Sequence, residues 1–173
     1  GAHHGETAKL LLNHFDIDKI YCFEPSYENF KILEKNFLKL SHVKLYNYGL
    51  ANKEGKFDFF QTSESSSSTF CEINFQSNYY KRKKKILDIF KKENYIVNRE
   101  KIRLNTLNNQ FKNFLFDSVD ILKIDTEGFE FDVIKGACNY LEKIRFIYFE
   151  HHFDSMIIKN YKYSEIHEYL KSN

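Results

Sequence analysis

Residues 118–137 read SVDILKIDTEGFEFDVIKGA, and this stretch decides the fold. Its opening, VDILKI, is a short apolar run of the kind that forms a buried parallel strand. Asp125, Thr126, Glu127 and Gly128 end the run with two acids and a glycine that permits a turn. Beyond the turn, Phe131, Ile134, Cys138 and Leu141 recur at helical spacing and give one apolar stripe. A strand, a polar turn and a helix in succession form the repeating unit of an α/β domain.

Outward from this unit the same alternation continues. Residues 6–15 carry Ala8, Leu11, Leu12 and Phe15 at helical spacing, and KIYCFEP predicts a buried strand that ends at Glu24 and Pro25. Ser26 is a good N-cap for a helix to about residue 40, with Phe30, Leu33 and Phe37 on one face. HVKLYNYGL predicts a third strand, NKEG a turn, and KFDFFQ a strand that forms a hairpin with a later segment. Residues 63–69 are a serine-rich loop, and residues 79–95 are charge-rich and weakly helical, with KRKKK inside them. EKIRLNTL predicts a strand leading into a helix over 106–115. KIRFIYFE predicts another buried strand, with a closing helix near 163–170. The expected class is α/β with a mainly parallel sheet flanked by helices. One domain over 1–173 is expected, with a loop-rich insertion at about 56–105.

Composition excludes several function classes. With 173 residues, 42% hydrophobic content and one proline, the chain can bury a sizeable core. A net charge of +2 gives no basic excess for nucleic-acid binding. The three cysteines, Cys22, Cys71 and Cys138, are widely spaced and form no CxxC pair. Reduced, buried thiols in a cytoplasmic protein are expected, not a disulfide framework or a zinc site. No run approaches the roughly 18 apolar residues of a membrane span. The chain starts inside a glycine loop without an initiator methionine, so it reads as a fragment.

Ligands of open α/β sheets bind beyond the carboxyl ends of the strands, and three such ends carry chemistry here. The first is the loop GAHHG, Gly1 to Gly5, where backbone can approach an anionic or polar ligand closely. The second is Glu24, about 20 residues on, a spacing that suits hydrogen bonds to both ribose hydroxyls of an adenosine cofactor. The third is the Asp125–Glu127 turn. Asp125 is the first candidate for a general base or an acceptor-orienting group, and Glu127 the second. Paired acids also suit a hard cation, but no third acid ligand is fixed by the sequence, so no metal is expected. His151 and His152 follow Glu150 at a further strand end and point opposite ways, so at most one, His151, joins the site.

In order, GA-x-x-G, FEP, G-L-A-x-x-E-G, the serine loop, T-L and KIDTEG-x-E-x-x-V-I-KGA resemble the FkbM-type S-adenosylmethionine-dependent methyltransferases, from Gly1 to about Glu150. The resemblance implies a Rossmann-like class I methyltransferase fold, with its first strand and final strands outside this stretch. It implies that Gly1, Ala2, His3 and Gly5 form the cofactor loop, that Glu24 with Pro25 binds the ribose, and that Gly49 and Leu50 wall the adenine pocket. Asp125 and Glu127 would face the methyl group and the acceptor, Asp125 also contacting S-adenosyl-L-methionine. The implied reaction is O-methylation of a sugar, a glycan or another small molecule. A nucleotide-dependent Rossmann oxidoreductase shares the loop and the acid, and a non-catalytic cofactor-binding protein would keep the same fold.

Overall fold

The computed structural model describes residues 1–89 and 95–173. The glycine loop runs into α1 (Glu6–His14), and β1 (Ile20–Phe23) leads through Glu24 and Pro25 to α2 (Tyr27–Phe37). Ser26 caps α2, its hydroxyl accepting from the Asn29 N–H. The segment expected to be one strand after α2 is instead two, β2 (Val43–Tyr46) and β3 (Gly49–Leu50), which lie in different sheets. Asn47 sits at the break, and its amide donates to the backbone carbonyls of Glu24 and Pro25. The turn thereby follows the end of β1 and cannot continue the ladder.

β4 (Gly55–Thr62), β5 (Glu72–Ile73), α3 (Asn78–Ile89) and β6 (Ile96–Asn105) fill the middle of the chain. β4 forms the expected antiparallel pairing with β6. Of the helix expected over 79–95, residues 79–89 are helical and 90–94 lie outside the described residues. In KRKKK, Lys81, Arg82, Lys84 and Lys85 are exposed, whereas Lys83 turns inward and pairs with Glu64 at 2.6 Å. α4 (Leu107–Phe114) is capped by Thr106, and β7 (Val119–Ile124), α5 (Glu130–Lys135), β8 (Ile144–Phe149), β9 (Ile157–Ile158) and α6 (Tyr163–Ser172) complete the order.

The architecture is a mixed α/β fold, and the mainly parallel sheet is met only in part. Among the described residues β1–β2, β3–β6 and β7–β8 are parallel, while β4–β6 and β5–β9 are antiparallel, in four small sheets. Between the carboxyl ends of β1 and β7 lies the start of the glycine loop. Ala2 N–H donates to the Phe23 carbonyl at 3.0 Å, and the Gly1 amine donates to the Asp125 carbonyl. That bridge positions the site.

One core packs α5 and α6 on β7 and β8, with Ile124, Phe131, Val133, Ile134, Leu141 and Ile166 at its centre. A second joins α1, α2, β1 and β2 through Ala8, Cys22, Leu33, Phe37 and Val43. Gly5 belongs to this second core's rim. A Cβ there would stand 2.1 Å from Phe37 Cε2, and its φ of +89° is left-handed, so both space and backbone require glycine. Two burial expectations fail. Ile121 of β7 is 50% exposed, and Phe146 and Tyr148 of β8 are more so, because they share one face of the β7–β8 pair while the core packs on the other, with Leu122, Ile124, Ile147 and Phe149. Cys138 is exposed: α5 stops at Lys135, so the helical stripe ends before it; Cys22 is buried and Cys71 half-buried.

Candidate active site

Gly1, Glu24 and Asp125 come together although they lie far apart in the chain. A Cβ on Gly1 would stand 3.1 Å from Glu24 Oε2 and 3.5 Å from the Asp125 carbonyl, so this backbone leaves a small cradle beside a carboxylate. Glu24 is 4% exposed, and each of its oxygens accepts one backbone N–H. His3 donates to Oε2 at 2.7 Å and Ser26 donates to Oε1 at 2.9 Å. A carboxylate has about four acceptor positions, so capacity remains on both oxygens for a bound diol.

The turn after β7 is built around a residue that sequence reasoning passed over. Glu130 is fully buried. Its Oε1 accepts the Thr126 N–H at 3.1 Å, the Thr126 hydroxyl at 3.0 Å and the Gly128 N–H at 3.0 Å; its Oε2 accepts the Tyr161 hydroxyl at 2.5 Å. These donors are freed where the strand ends and before the helix begins, and one carboxylate gathers them. Within the turn Glu127 has φ 53° and Gly128 φ 102°. A left-handed glutamate costs about 1 kcal/mol or more and persists where its surroundings over-determine it. The surroundings do so here. The Thr69 hydroxyl donates to the Glu127 carbonyl at 2.6 Å, and the Cys71 thiol donates to the Gly128 carbonyl at 3.2 Å. Burial pushes that thiol up to about 12, so it remains protonated.

The strained turn presents Glu127 to His152, with Oε2 3.1 Å from Nε2. His151, the histidine expected at the site, lines the same pocket as His152 and lies among Phe153, Tyr161 and Tyr163. Burial and the Lys159 charge lower its pKa. The Glu127 carboxylate raises that of His152, against the opposing pull of burial. A folded-state pKa above the unfolded value stabilises the protein below pH 6.5, and that contribution disappears as pH rises through the folded value. Glu127→Gln is expected to return the His152 pKa toward its ordinary value. A histidine NMR titration reads this directly, and an unchanged midpoint would remove the pair.

Asp125 is also near. Burial opposes its charge, but the Lys123 ammonium at 2.8 Å prevails and holds its carboxyl below the ordinary range. An anion so stabilised is a weak proton acceptor and a good fixed charge. The serine loop closes over the glycine loop: Ser65 Oγ is 2.9 Å from His3 Nε2, and its carbonyl accepts from Asn29. Pro25 flanks Glu24 and contributes its carbonyl to Asn47. Gly49 and Leu50 make their contacts with β6 and the main core.

The Methyltransferase FkbM domain family matches residues 1–173. The chain belongs to that family. Among curated proteins, this FkbM domain is 22% identical over 159 residues to the 2-O-methyltransferase NoeI of Sinorhizobium fredii (strain NBRC 101917 / NGR234). The alignment takes in 87% of the FkbM domain, which spans 60% of the length of that relative. No solved structure matches it. Among the described residues of the domain, no helix is long and apolar enough to cross a membrane.

Proposed function

We propose that this FkbM domain is an S-adenosyl-L-methionine-dependent O-methyltransferase acting on a hydroxyl of a sugar, glycan or other small molecule. The observation that carries the reading is the meeting of Gly1, Glu24 and Asp125 around a cradle that a Cβ would fill. The naming of a similar protein as a 2-O-methyltransferase supports a hydroxyl acceptor. When bound, the cofactor supplies a methyl group already activated by its sulfonium, so the protein's task is alignment.

In this reading the spare acceptor positions of Glu24 hold the ribose hydroxyls, and the Gly1–Gly5 backbone carries the rest of the cofactor. Asp125, kept anionic by Lys123, orients the acceptor. An alcohol is a poor nucleophile until its proton is shared. Here His152 accepts the hydroxyl's proton, and the Glu127 carboxylate, 3.1 Å from Nε2 without hydrogen-bond alignment, stabilises the imidazolium by its charge. In this reading proton removal falls to His152 beside Glu127, and Asp125 keeps the orienting role.

Calorimetry with S-adenosylmethionine, S-adenosylhomocysteine and NAD separates this reading from an oxidoreductase. Binding of both sulfur nucleosides and no heat from NAD is the expected result. Binding of NAD alone would sink the methyltransferase reading.

A further inference from the structure

The proposed function assigns a group to remove a proton but no surface to hold the methyl acceptor. His152 lines an open cleft of about 380 Å³, within the size range of small-molecule sites. Tyr161 belongs to the same lining. Its hydroxyl donates to Glu130 Oε2 at 2.5 Å, which ties the cleft to the turn that carries Asp125 and Glu127.

The rest of the lining is of two kinds. His151, Phe153 and Tyr163 form an aromatic cluster. The imidazole lies edge-on to both rings, 4.7 Å from Phe153 and 5.5 Å from Tyr163, and those two rings are 6.2 Å apart. One exposed phenylalanine is ordinary on a protein surface. Here Phe153 is 85% exposed and Tyr163 49%, as neighbours in the cleft that holds the proton-removing histidine. The polar lining includes Lys159, Lys162 and Asp154. The Lys159 ammonium donates to the His152 carbonyl, and among the described residues neither lysine pairs with a carboxylate. Asp154 gives one oxygen to the Met156 N–H at 2.7 Å and keeps the other.

A ligand of this cleft must match both kinds of lining. Aromatic ring faces carry negative charge density and attract polarised C–H bonds. A pyranose has C–H bonds on its ring faces and hydroxyls around its edge, so one face can stack while the edge meets ammonium and carboxylate groups. A flat phenol stacks as well, but its one or two hydroxyls leave most of the polar lining unmatched. We propose that this cleft is the acceptor site and takes a sugar ring, stacked on Phe153 and Tyr163. Lys159, Lys162 and Asp154 bind its hydroxyls, and one hydroxyl is presented to His152. This rests on the methyltransferase reading above and narrows its acceptor to a sugar.

The test is saturation-transfer NMR on the chain, with and without S-adenosylhomocysteine. The probes are the methyl pyranosides of glucose, galactose, mannose and fucose, with catechol as a flat, hydroxylated control. Saturation should reach the ring C–H protons of at least one glycoside at about 10 mM. Phe153→Ala should weaken that glycoside's binding by about fivefold, and Lys162→Met by about threefold or more. Both side chains are exposed, so the two variants should keep the wild-type melting temperature, which separates lost contacts from lost folding. No transfer to any of the four glycosides, or equal transfer in wild type and Phe153→Ala, overturns the proposal. So does displacement of the bound glycoside by an equal concentration of catechol. Calorimetry with S-adenosylhomocysteine on the same sample reads the cofactor site separately, so a silent cleft beside a bound cofactor sinks the sugar site alone.

Discussion

Glu130→Ala is expected to destabilise the protein by about 3–5 kcal/mol, through the loss of buried hydrogen bonds rather than of packing. The carboxylate is fully buried and accepts four donors: the Thr126 and Gly128 N–H groups and the Thr126 and Tyr161 hydroxyls. Truncation leaves these donors without a partner where the turn is closed to water. Each unsatisfied buried donor costs about 1–3 kcal/mol, and relaxation of the turn recovers part of the sum. Glu130→Gln keeps an acceptor for most of them and loses charge assistance, so about 1–2 kcal/mol is expected. Tyr161→Phe removes one donor and leaves the turn's backbone bonds intact, and should be the mildest of the three. Urea unfolding midpoints at constant slope rank the series. A Glu130→Ala cost below about 1 kcal/mol would show that the turn holds without its carboxylate.

Glu24→Gln should weaken S-adenosylhomocysteine binding by about 100-fold while leaving the chain folded. The wild-type carboxylate accepts from His3 N–H at 2.7 Å and Ser26 N–H at 2.9 Å, one on each oxygen. A glutamine amide offers one oxygen and one NH₂, so one of the two backbone donors then faces another donor. If His3 is the one displaced, the loop swings off the carboxylate; if Ser26 is, the entry to α2 loosens. In either case the spare acceptor positions assigned to a ribose diol fall from two oxygens to one. A site built to hydrogen-bond hydroxyls suffers most when its own groups are left mismatched. Calorimetry reads the change, and an affinity within about threefold of wild type would remove Glu24 from the cofactor site.

Both predictions concern carboxylates, and the sequence singles out Glu24 but not Glu130. Glu24 stands out because spacing from a glycine loop carries chemical meaning. Glu130 lies in the most informative stretch of the chain and reads there as the first turn of a helix, where an acid is ordinary. Its importance comes from Tyr161, in the segment that leads to α6, and from a turn whose backbone curls back on it. The pairing of His152 with Glu127 has the same origin. Alternation along an extended segment says that one of the pair faces the site, but not which one. Glu127, held left-handed by Thr69 and Cys71 from the middle of the chain, meets His152.

By itself the sequence determined what depends on neighbours along the chain. That covers the helices α1 and α2, the cap at Ser26, the strand–turn–helix unit of residues 118–137, and the motif order that marks the family. Only the tertiary structure decided the break between β2 and β3, the exposure of Cys138, the contact of Ser65 with His3, the Glu127–His152 pair and the hub at Glu130. Each of these turns on a contact between distant segments, or on where an element stops. Periodicity fixes which face of an element is apolar, but the partner that meets a polar side chain in an irregular turn is set by packing alone.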